Sequence, residues 1–491
     1  MLLLIANLLF FLTIWLLEKY DHIYFDQVLF QTKTSSAGVH HALLSSAFVR
    51  VGLYGIALTA TEILLYWILS GRCVKIFRNH IVTYRCTKVC NFFVKHALPL
   101  ALCGLILATS VFVAELDVIA YIEIVTTKSD FIEENYVSPD KASLTFPKQK
   151  RNLVYIFLES MENTFADTSI GSVTGANLIP ELTELAEDNI CFSNADGLGG
   201  AQSFTGTTWT AAAMVTQTSG VPVKVPITAN SYGAHGDFMP GLVSLGDILE
   251  EQGYNQTLLV GSDAEFHGRE AYFTQHGNYE IVDTKSLKAT GRLAEDYNEW
   301  WGFEDQKLFA YAKEELTRLA SEGEPFNLTM LTADTHFPDG YPCRLCDDTY
   351  DSQYANVLSC SSRQVYAFVK WVQQQPFYEN TTVIISGDHL TMDSSFLENL
   401  DEDYIRTIYN CIINAPIEAV NKTNRKFGTF DMFPTTLAAL GVEIGGDRLG
   451  LGTNLFSYRE TLTETYGFDA LNEELQKKSE FYNTTFLNMA N

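Results

Sequence analysis

Three long apolar runs crowd the first quarter of this 491-residue chain. Met1–Leu17 and Ala97–Ala114 carry no charged side chain, and Val51–Ser70 carries only Glu62. As helix, each run of 17 to 20 residues just spans a hydrocarbon core of about 30 Å. Buried helices of a soluble protein are the alternative, but such helices rarely come as three near-uninterrupted runs in one quarter of a chain. The first run has no basic segment before it and no small-residue cleavage site after it, so it reads as a retained span and not a cleaved leader.

Charge divides at the same place. The chain has a net charge of −26, yet its first 114 residues hold nine basic and four acidic residues, against 24 and 55 in the remainder. That acidic surplus argues against a nucleic-acid partner, whose phosphates need a basic patch. An apolar content of 47% with 13% aromatics excludes a disordered chain. Gly71–His96 contains Arg72, Lys75, Arg78, Arg85, Lys88 and Lys95 and no acid, which marks it as cytoplasmic. The loop from Glu18 to Arg50 is mixed in sign and is expected outside. Residues 1–114 then form a three-span, multi-pass anchor with the N-terminus inside and the acidic remainder extracytoplasmic. Glu62, near the middle of a span, either pairs within the bundle or marks an intramembrane functional group.

Residues 115–150 read as a juxtamembrane linker. Asn152–Leu158 follows, an apolar run too short for a helix and bounded by charge, which suits a strand buried on both faces. Thr257–Val260, Phe326–Leu331, Thr382–Ile385 and, more weakly, Cys411–Asn414 repeat the form. Helical segments lie between them at Leu178–Asp188, Leu242–Glu251, Glu304–Ser321 and Ser361–Gln374. The alternation predicts an α/β domain over 151–460, with a mostly parallel central sheet flanked by helices. Residues 461–491 have amphipathic helical character, lying back on the domain or on the membrane. Of the outer cysteines, Cys343, Cys346 and Cys360 fall close together; zinc or redox chemistry is one reading, and a loop-stapling disulfide is favoured for an oxidising compartment.

In open α/β sheets the site forms beyond the carboxyl ends of the strands. The first strand ends in Glu159-Ser160, the Phe326 strand runs into Asp334-Thr335-His336, and the Thr382 strand ends in Gly387-Asp388-His389. These are oxygen and imidazole donors of the kind that hold Mn²⁺, Mg²⁺ or Zn²⁺. Taken singly, each carboxylate could cap a helix and His336 could be structural. Gly197–Pro222 is rich in Gly, Ser and Thr before a small-residue stretch beginning near Thr210. A hydroxyl there, at a helix N-terminus, would meet donors suited to a phosphoryl oxygen; a flexible loop ending in a helix cap is the alternative.

The order NLVYIFLESMENTF, GTTWTAAAMV, ADTHFPDGY, ISGDHLTMD and DMFPTTLAALG resembles the lipoteichoic acid synthase and phosphoglycerol transferase family, part of the alkaline-phosphatase/sulfatase-like superfamily. The resemblance implies that Glu159, Asp388 and His389 bind one divalent metal ion together with Thr210. Mn²⁺ is favoured, with Mg²⁺ or Zn²⁺ possible. It makes Thr210 the nucleophile, with Thr208 as the nearest substitute, and implies that His336 and Arg269 contact the transferred phosphoglycerol. His267 occupies a position where some relatives carry Trp. Arg269 and Arg448 are expected to supply positive potential in an acidic domain.

The implied donor is phosphatidylglycerol at the lipid bilayer of a bacterial plasma membrane. The acceptor would be a cell-envelope glycan, glycolipid or polyglycerolphosphate chain. A formylglycine sulfatase is disfavoured, because the chain has no Cys-x-Pro-x-Arg motif. A phosphoethanolamine transferase, a phosphodiesterase and a non-catalytic membrane-tethered binding protein remain as alternatives. Trp300-Trp301 either packs or lines the site rim.

Overall fold

The computed structural model describes residues 1–19, 25–34, 41–69, 92, 95–168, 175–226, 229–234, 236–393, 395–401 and 403–489. They form two compact units, Met1–Val28 with Val39–Glu123, and Leu29–Gly38 with Ile124–Asn491.

The first unit is built on helices α1 (Leu2–Lys19), α2 (Tyr54–Leu69) and α3 (Ala97–Glu115). Among the described residues, three helical stretches are long and apolar enough to cross a membrane: Leu2–Lys19, Leu44–Ile68 and Ala97–Glu115. The second begins before the Val51 expected from the sequence. Arg50 lies within it, in a π-helical turn over Phe48–Leu53, and pairs with Glu18 at 2.9 Å. Leu64, Leu65, Ile106 and Leu107 are more than half exposed, the inverse of a water-soluble core and the surface a lipid-facing helix presents. The polar groups turn inward: the Asn7 amide donates to Thr59 Oγ1 at 3.0 Å and to Glu62 Oε2 at 2.8 Å. Glu62 is thus paired within the bundle. Ser70 and the basic residues Arg72, Lys75, Arg78, Arg85 and Lys88, on which the expected topology rests, lie outside the described residues.

The second unit holds a six-stranded sheet of β1 (Asn152–Leu158), β2 (Asn255–Val260), β3 (Glu280–Val282), β4 (Phe326–Leu331), β5 (Thr381–Gly387) and β6 (Asn410–Ile413). In space the order is β3-β2-β4-β1-β5-β6. Every neighbouring pair is parallel except β5 with β6. The short edge strand β3 carries too few apolar residues to be read from the sequence; it is held by register with β2, Leu258 opposite Ile281.

Strand β1 shows why the sheet is covered on both faces. Leu153, Tyr155 and Phe157 enter one hydrophobic core, and Val154, Ile156 and Leu158 enter the other. All six are fully buried, each contributing roughly 1.5–3 kcal/mol of transfer free energy. Helices α4 (Pro180–Asp188), α5 (Thr210–Ser219), α6 (Arg269–Gln275), α7 (Asp305–Glu322), α8 (Gln353–Gln373) and α9 (Met432–Ala439) supply much of the cover. Helix α8 starts eight residues before the expected Ser361, because Ser352 caps it by accepting from the Ala355 amide at 3.4 Å. Cys360 therefore sits on a helix and not in the preceding loop. The C-terminal helices lie back on this unit: Asn472 accepts from the Thr205 amide at 2.9 Å, and the Tyr482 hydroxyl donates to the Pro222 carbonyl at 3.1 Å.

Candidate active site

The carboxyl ends of β1 and β5 are adjacent because the two strands pair in parallel register, Leu158 opposite Gly387. The residues that follow them are thereby forced together. Ser160 turns into the left-handed region (φ 54°), a conformation that costs of order 1 kcal/mol or more in a non-glycine residue. The turn lets its amide donate to Asp388 Oδ1 at 2.8 Å and its hydroxyl donate to Glu159 Oε1 at 2.8 Å. Gly387 is needed for the same closeness, since a Cβ there would stand 2.0 Å from the Met161 carbonyl oxygen. The Glu159 backbone is fixed from β4's side by Thr332, which accepts from its amide at 3.0 Å, and by Thr335, which donates to its carbonyl at 2.6 Å.

Helix α5 delivers a hydroxyl to this point. Gln217, two turns into the helix, accepts from the Tyr155 hydroxyl and donates to the Gly387 carbonyl, both at 2.9 Å, locking helix to sheet. Three successive alanines, Ala211–Ala213, are all buried and allow the close approach. Thr210 Oγ1 then lies 3.2 Å from Glu159 Oε2 and 3.4 Å from His389 Nε2. The first-turn amides of a helix lack intrahelical acceptors, and no side chain caps this helix. The neighbouring threonines are engaged elsewhere: Thr207 donates to the Phe204 carbonyl at 2.8 Å, and Thr205 accepts from Gln476 at 2.9 Å.

Glu159, Asp388 and His389 form a cluster whose ligand atoms all lie within 4.8 Å of one another. His389 Nε2 is 3.6 Å from Glu159 Oε1 and 3.5 Å from Asp388 Oδ2. His389 Nδ1 donates to the Leu390 carbonyl at 2.8 Å, which turns the Nε2 lone pair toward the carboxylates. Asp388 Oδ2 is fully buried and accepts no hydrogen bond among the described residues. Such an orphaned anionic oxygen is costly unless a cation meets it. Burial and the Glu159 charge push the Asp388 carboxyl up to about 7. Burial acts the same way on Glu159, but His336, His389 and the Ser160 hydroxyl outweigh it and hold that carboxyl below its ordinary value. Two opposed carboxylates, a directed imidazole lone pair and a hydroxyl make a donor set that fits one divalent cation.

His336 and Arg269 flank the cluster. His336 Nδ1 donates to the Phe337 carbonyl at 2.6 Å, and the ring packs on Trp301 at 4.8 Å between centroids. Burial lowers its pKa, against the opposing pull of Glu159. The Arg269 guanidinium is buried and oriented by Ser262 Oγ (2.9 Å) and by the carbonyls of Asp263 (2.9 Å) and Phe266 (3.1 Å). Its Nη1 makes no hydrogen bond among the described residues. Burial lowers its pKa to about 10, while Glu159, Asp263, Asp283 and Asp388 oppose the shift. It remains a cation at neutral pH. His267, also left-handed at φ 57°, stacks on Phe266 at 3.9 Å. Burial, with Arg269 and His336, drives its pKa down to about 3.

Two expectations are corrected. Arg448 is not at this site: its Nη2 donates to the Asn135 carbonyl at 2.7 Å, tying the linker to the short antiparallel strand pair, Arg448–Leu449 with Gly452–Thr453, that follows α9. The expected disulfide is not formed, because Cys343 Sγ lies 3.8 Å from both Cys346 Sγ and Cys360 Sγ, well beyond an S–S bond of about 2.05 Å. Trp300-Trp301, left open by the sequence, divides its roles: Trp300 donates to the Ala333 carbonyl at 2.9 Å, and Trp301 lies against His336 and Phe266.

Sequence reasoning missed one contribution entirely. Phe30 and Gln31 come from the segment between the first two apolar runs, yet belong to the second unit. Phe30 is 1% exposed and packs on Trp209, Tyr232 and His267. Gln31 hydrogen-bonds His267 Nε2. The short run Phe25–Lys33 offers no local signal that it would seat beside residues so remote in the chain.

The chain also has relatives among known proteins. The chain is 30% identical over 329 residues to phosphoglycerol transferase I of Escherichia coli, covering 66% of this chain and 41% of that one. It thus spans about two fifths of the length of the curated relatives it matches. In fold it is similar to a protein in the alkaline phosphatase superfamily from Vibrio parahaemolyticus, with a TM-score of 0.51, 21% identity, and coverage of 68% of this chain and 79% of that one. It is also similar to the integral membrane lipooligosaccharide phosphoethanolamine transferase A of Neisseria meningitidis, with a TM-score of 0.52, 14% identity, and coverage of 90% and 83%. The sulfatase family profile matches residues 151–442, the stretch that carries every residue of the cluster and its flanks, and the chain belongs to that family.

Proposed function

We propose that this chain is a membrane-anchored phosphotransferase. It moves glycerol phosphate from phosphatidylglycerol, through a Thr210-linked intermediate, to a cell-envelope glycan or polyglycerolphosphate acceptor. The observation that carries the reading is the Thr210 hydroxyl held between Glu159 and His389 at an uncapped helix N-terminus. The likeness to phosphoglycerol transferase I supports the headgroup. The lack of a Cys-x-Pro-x-Arg motif counts against formylglycine chemistry.

Glu159, Asp388 and His389, with Thr210 Oγ1, would hold a divalent cation, Mn²⁺ being favoured, which would lower the hydroxyl's pKa and offset charge on the phosphoryl group. Thr210 Oγ1 attacks the lipid phosphorus. The new P–Oγ1 bond forms as the P–O bond to diacylglycerol breaks, and a proton reaches the departing diacylglycerol oxygen. In the second step an acceptor hydroxyl attacks the same phosphorus as the P–Oγ1 bond breaks, and the proton it loses is matched by one taken up at Oγ1, which returns Thr210 to the free hydroxyl. Arg269 neutralises a phosphate oxygen through its unengaged Nη1. His336, with Nδ1 committed to a carbonyl and its ring neutral, offers Nε2 to a glycerol or acceptor hydroxyl. The amides at the start of α5 bind the remaining phosphoryl oxygens.

The anchor keeps the site at the membrane surface where the headgroup lies. An extracytoplasmic position follows from the charge of the loops, and the membership of Leu29–Gly38 in the catalytic unit supports a common side for that loop and the site. Membranes given headgroup-labelled phosphatidylglycerol should release diacylglycerol and pass label to an acceptor in wild type but not in Thr210→Ala. Label moving only from phosphatidylethanolamine would overturn the choice of donor, and unchanged transfer in Thr210→Ala would overturn the nucleophile.

A further inference from the structure

A second donor cluster lies apart from the oxygen-and-imidazole site. Cys343 and Cys346 sit in the segment that leaves β4 beyond His336, and Cys360 sits about two turns into α8. Cys343 Sγ is 3.8 Å from Cys360 Sγ and 3.8 Å from Cys346 Sγ, and the three sulfurs all lie within 4.8 Å of one another. A tetrahedral cation with metal–sulfur bonds of about 2.3 Å holds its thiolates about 3.8 Å apart. A disulfide brings two sulfurs to about 2.05 Å and excludes the third. Here Cys343 is equidistant from both partners.

Hydrogen-bond donors face the sulfurs. The Leu345 amide donates to Cys343 Sγ at 3.4 Å, and the Cys346 amide closes the turn on the Cys343 carbonyl at 3.0 Å. The Gln364 amide nitrogen points at Cys360 Sγ, 3.4 Å away. Donors aimed at sulfur are what thiolates bound to a cation require around them. Cys343 and Cys360 are buried, which makes three neighbouring thiolates without a cation unfavourable.

We propose that Cys343, Cys346 and Cys360 bind a thiophilic divalent cation, zinc, as a structural centre that staples the segment after His336 to α8. Three thiolates come from the chain, and a fourth position is left to water. Zinc is favoured over magnesium or manganese because soft sulfur donors select it. This inference is independent of the transferase reading.

The test uses the full chain purified in detergent with Glu159→Gln and Asp388→Asn, so that the oxygen site is silenced. One zinc per chain by elemental analysis is expected, and its loss on adding Cys346→Ser or Cys360→Ser. Exchange with cobalt(II) should give an ultraviolet thiolate-to-metal charge-transfer band, which a carboxylate-imidazole site does not produce. Thiol titration of the denatured, unreduced protein should then count all three cysteines as reactive. No zinc, together with an unreduced peptide two mass units lighter that joins two of the three cysteines, would overturn the proposal in favour of a disulfide. If either serine variant fails to fold, the metal content and thiol count of the chain with all three cysteines still distinguish a bound cation from a disulfide.

Discussion

The two donor clusters of the second unit are built in opposite ways. The oxygen-and-imidazole cluster collects residues remote in sequence, Thr210 lying 51 positions from Glu159 and 179 from His389. Each is fixed by a strand end or by a helix locked to the sheet. The sulfur cluster draws on one short stretch, with Cys343 and Cys360 only 17 positions apart, on a loop and a helix face. The difference teaches where each kind of rigidity comes from. Parallel strand ends hold reacting groups whatever the loops do, whereas a loop needs a local clamp. It follows that the first cluster should govern chemistry and the second stability.

The largest effect is expected at the proposed nucleophile. Thr210→Ala should lower transfer by roughly 10⁴-fold or more, measured as diacylglycerol release, with metal still bound at both clusters. Serine in its place should restore part of the rate. His336→Gln should cost about 10²- to 10⁴-fold. Because burial lowers the His336 pKa, the ring is neutral at pH 7, and a base is lost only on acidification. The acid limb of kcat/KM should therefore lie below the ordinary histidine value of 6.5 and disappear in the variant. A limb above that value would refute this role.

Arg269→Lys should lose about 10- to 100-fold, since lysine cannot keep the carbonyl and Ser262 contacts while reaching phosphate. The loss should be mainly in KM for the lipid. Cys360→Ser is the reverse experiment. It should lower the thermal midpoint by several degrees and leave transfer within about tenfold of wild type. If it abolished transfer with an unchanged melting curve, the division between the clusters would fail. The smallest effect is expected for Gln31→Ala, which removes one hydrogen bond to His267 worth about 0.5–1.5 kcal/mol. A KM raised by a few-fold with kcat unchanged would identify the Phe30–Gln31 segment as part of the headgroup seat.

Much of the fold is legible in the residues themselves. Strands β1 and β4 have the limits expected from their runs, because a strand covered on both faces excludes charged side chains, so the charged and turn-forming residues just outside mark its ends. The start of helix α8 is not legible, because Gln353–Cys360 is mixed in polarity and its cap, Ser352, is one of several serines nearby. The edge strand β3 is hidden for a related reason: it is held by a neighbour, not by its own pattern. Charge alone would place Arg448 at the site, and only the chain path after α9 carries it to the Asn135 carbonyl instead.

The amino-acid sequence by itself determined the apolar spans, the alternation of strands and helices, and which polar residues stand at strand ends. All of these depend on local periodicity and composition. Only the tertiary structure brings the Thr210 hydroxyl, favoured already by resemblance, to Glu159 and His389 while Thr205 and Thr207 hydrogen-bond elsewhere. It also decided that Asp388 keeps an unsatisfied oxygen facing them, that Phe30 and Gln31 close over His267, and that three cysteines meet without bonding. These facts depend on parallel register and on close approach through Gly387 and the alanines of α5, which bring together atoms that no local pattern relates.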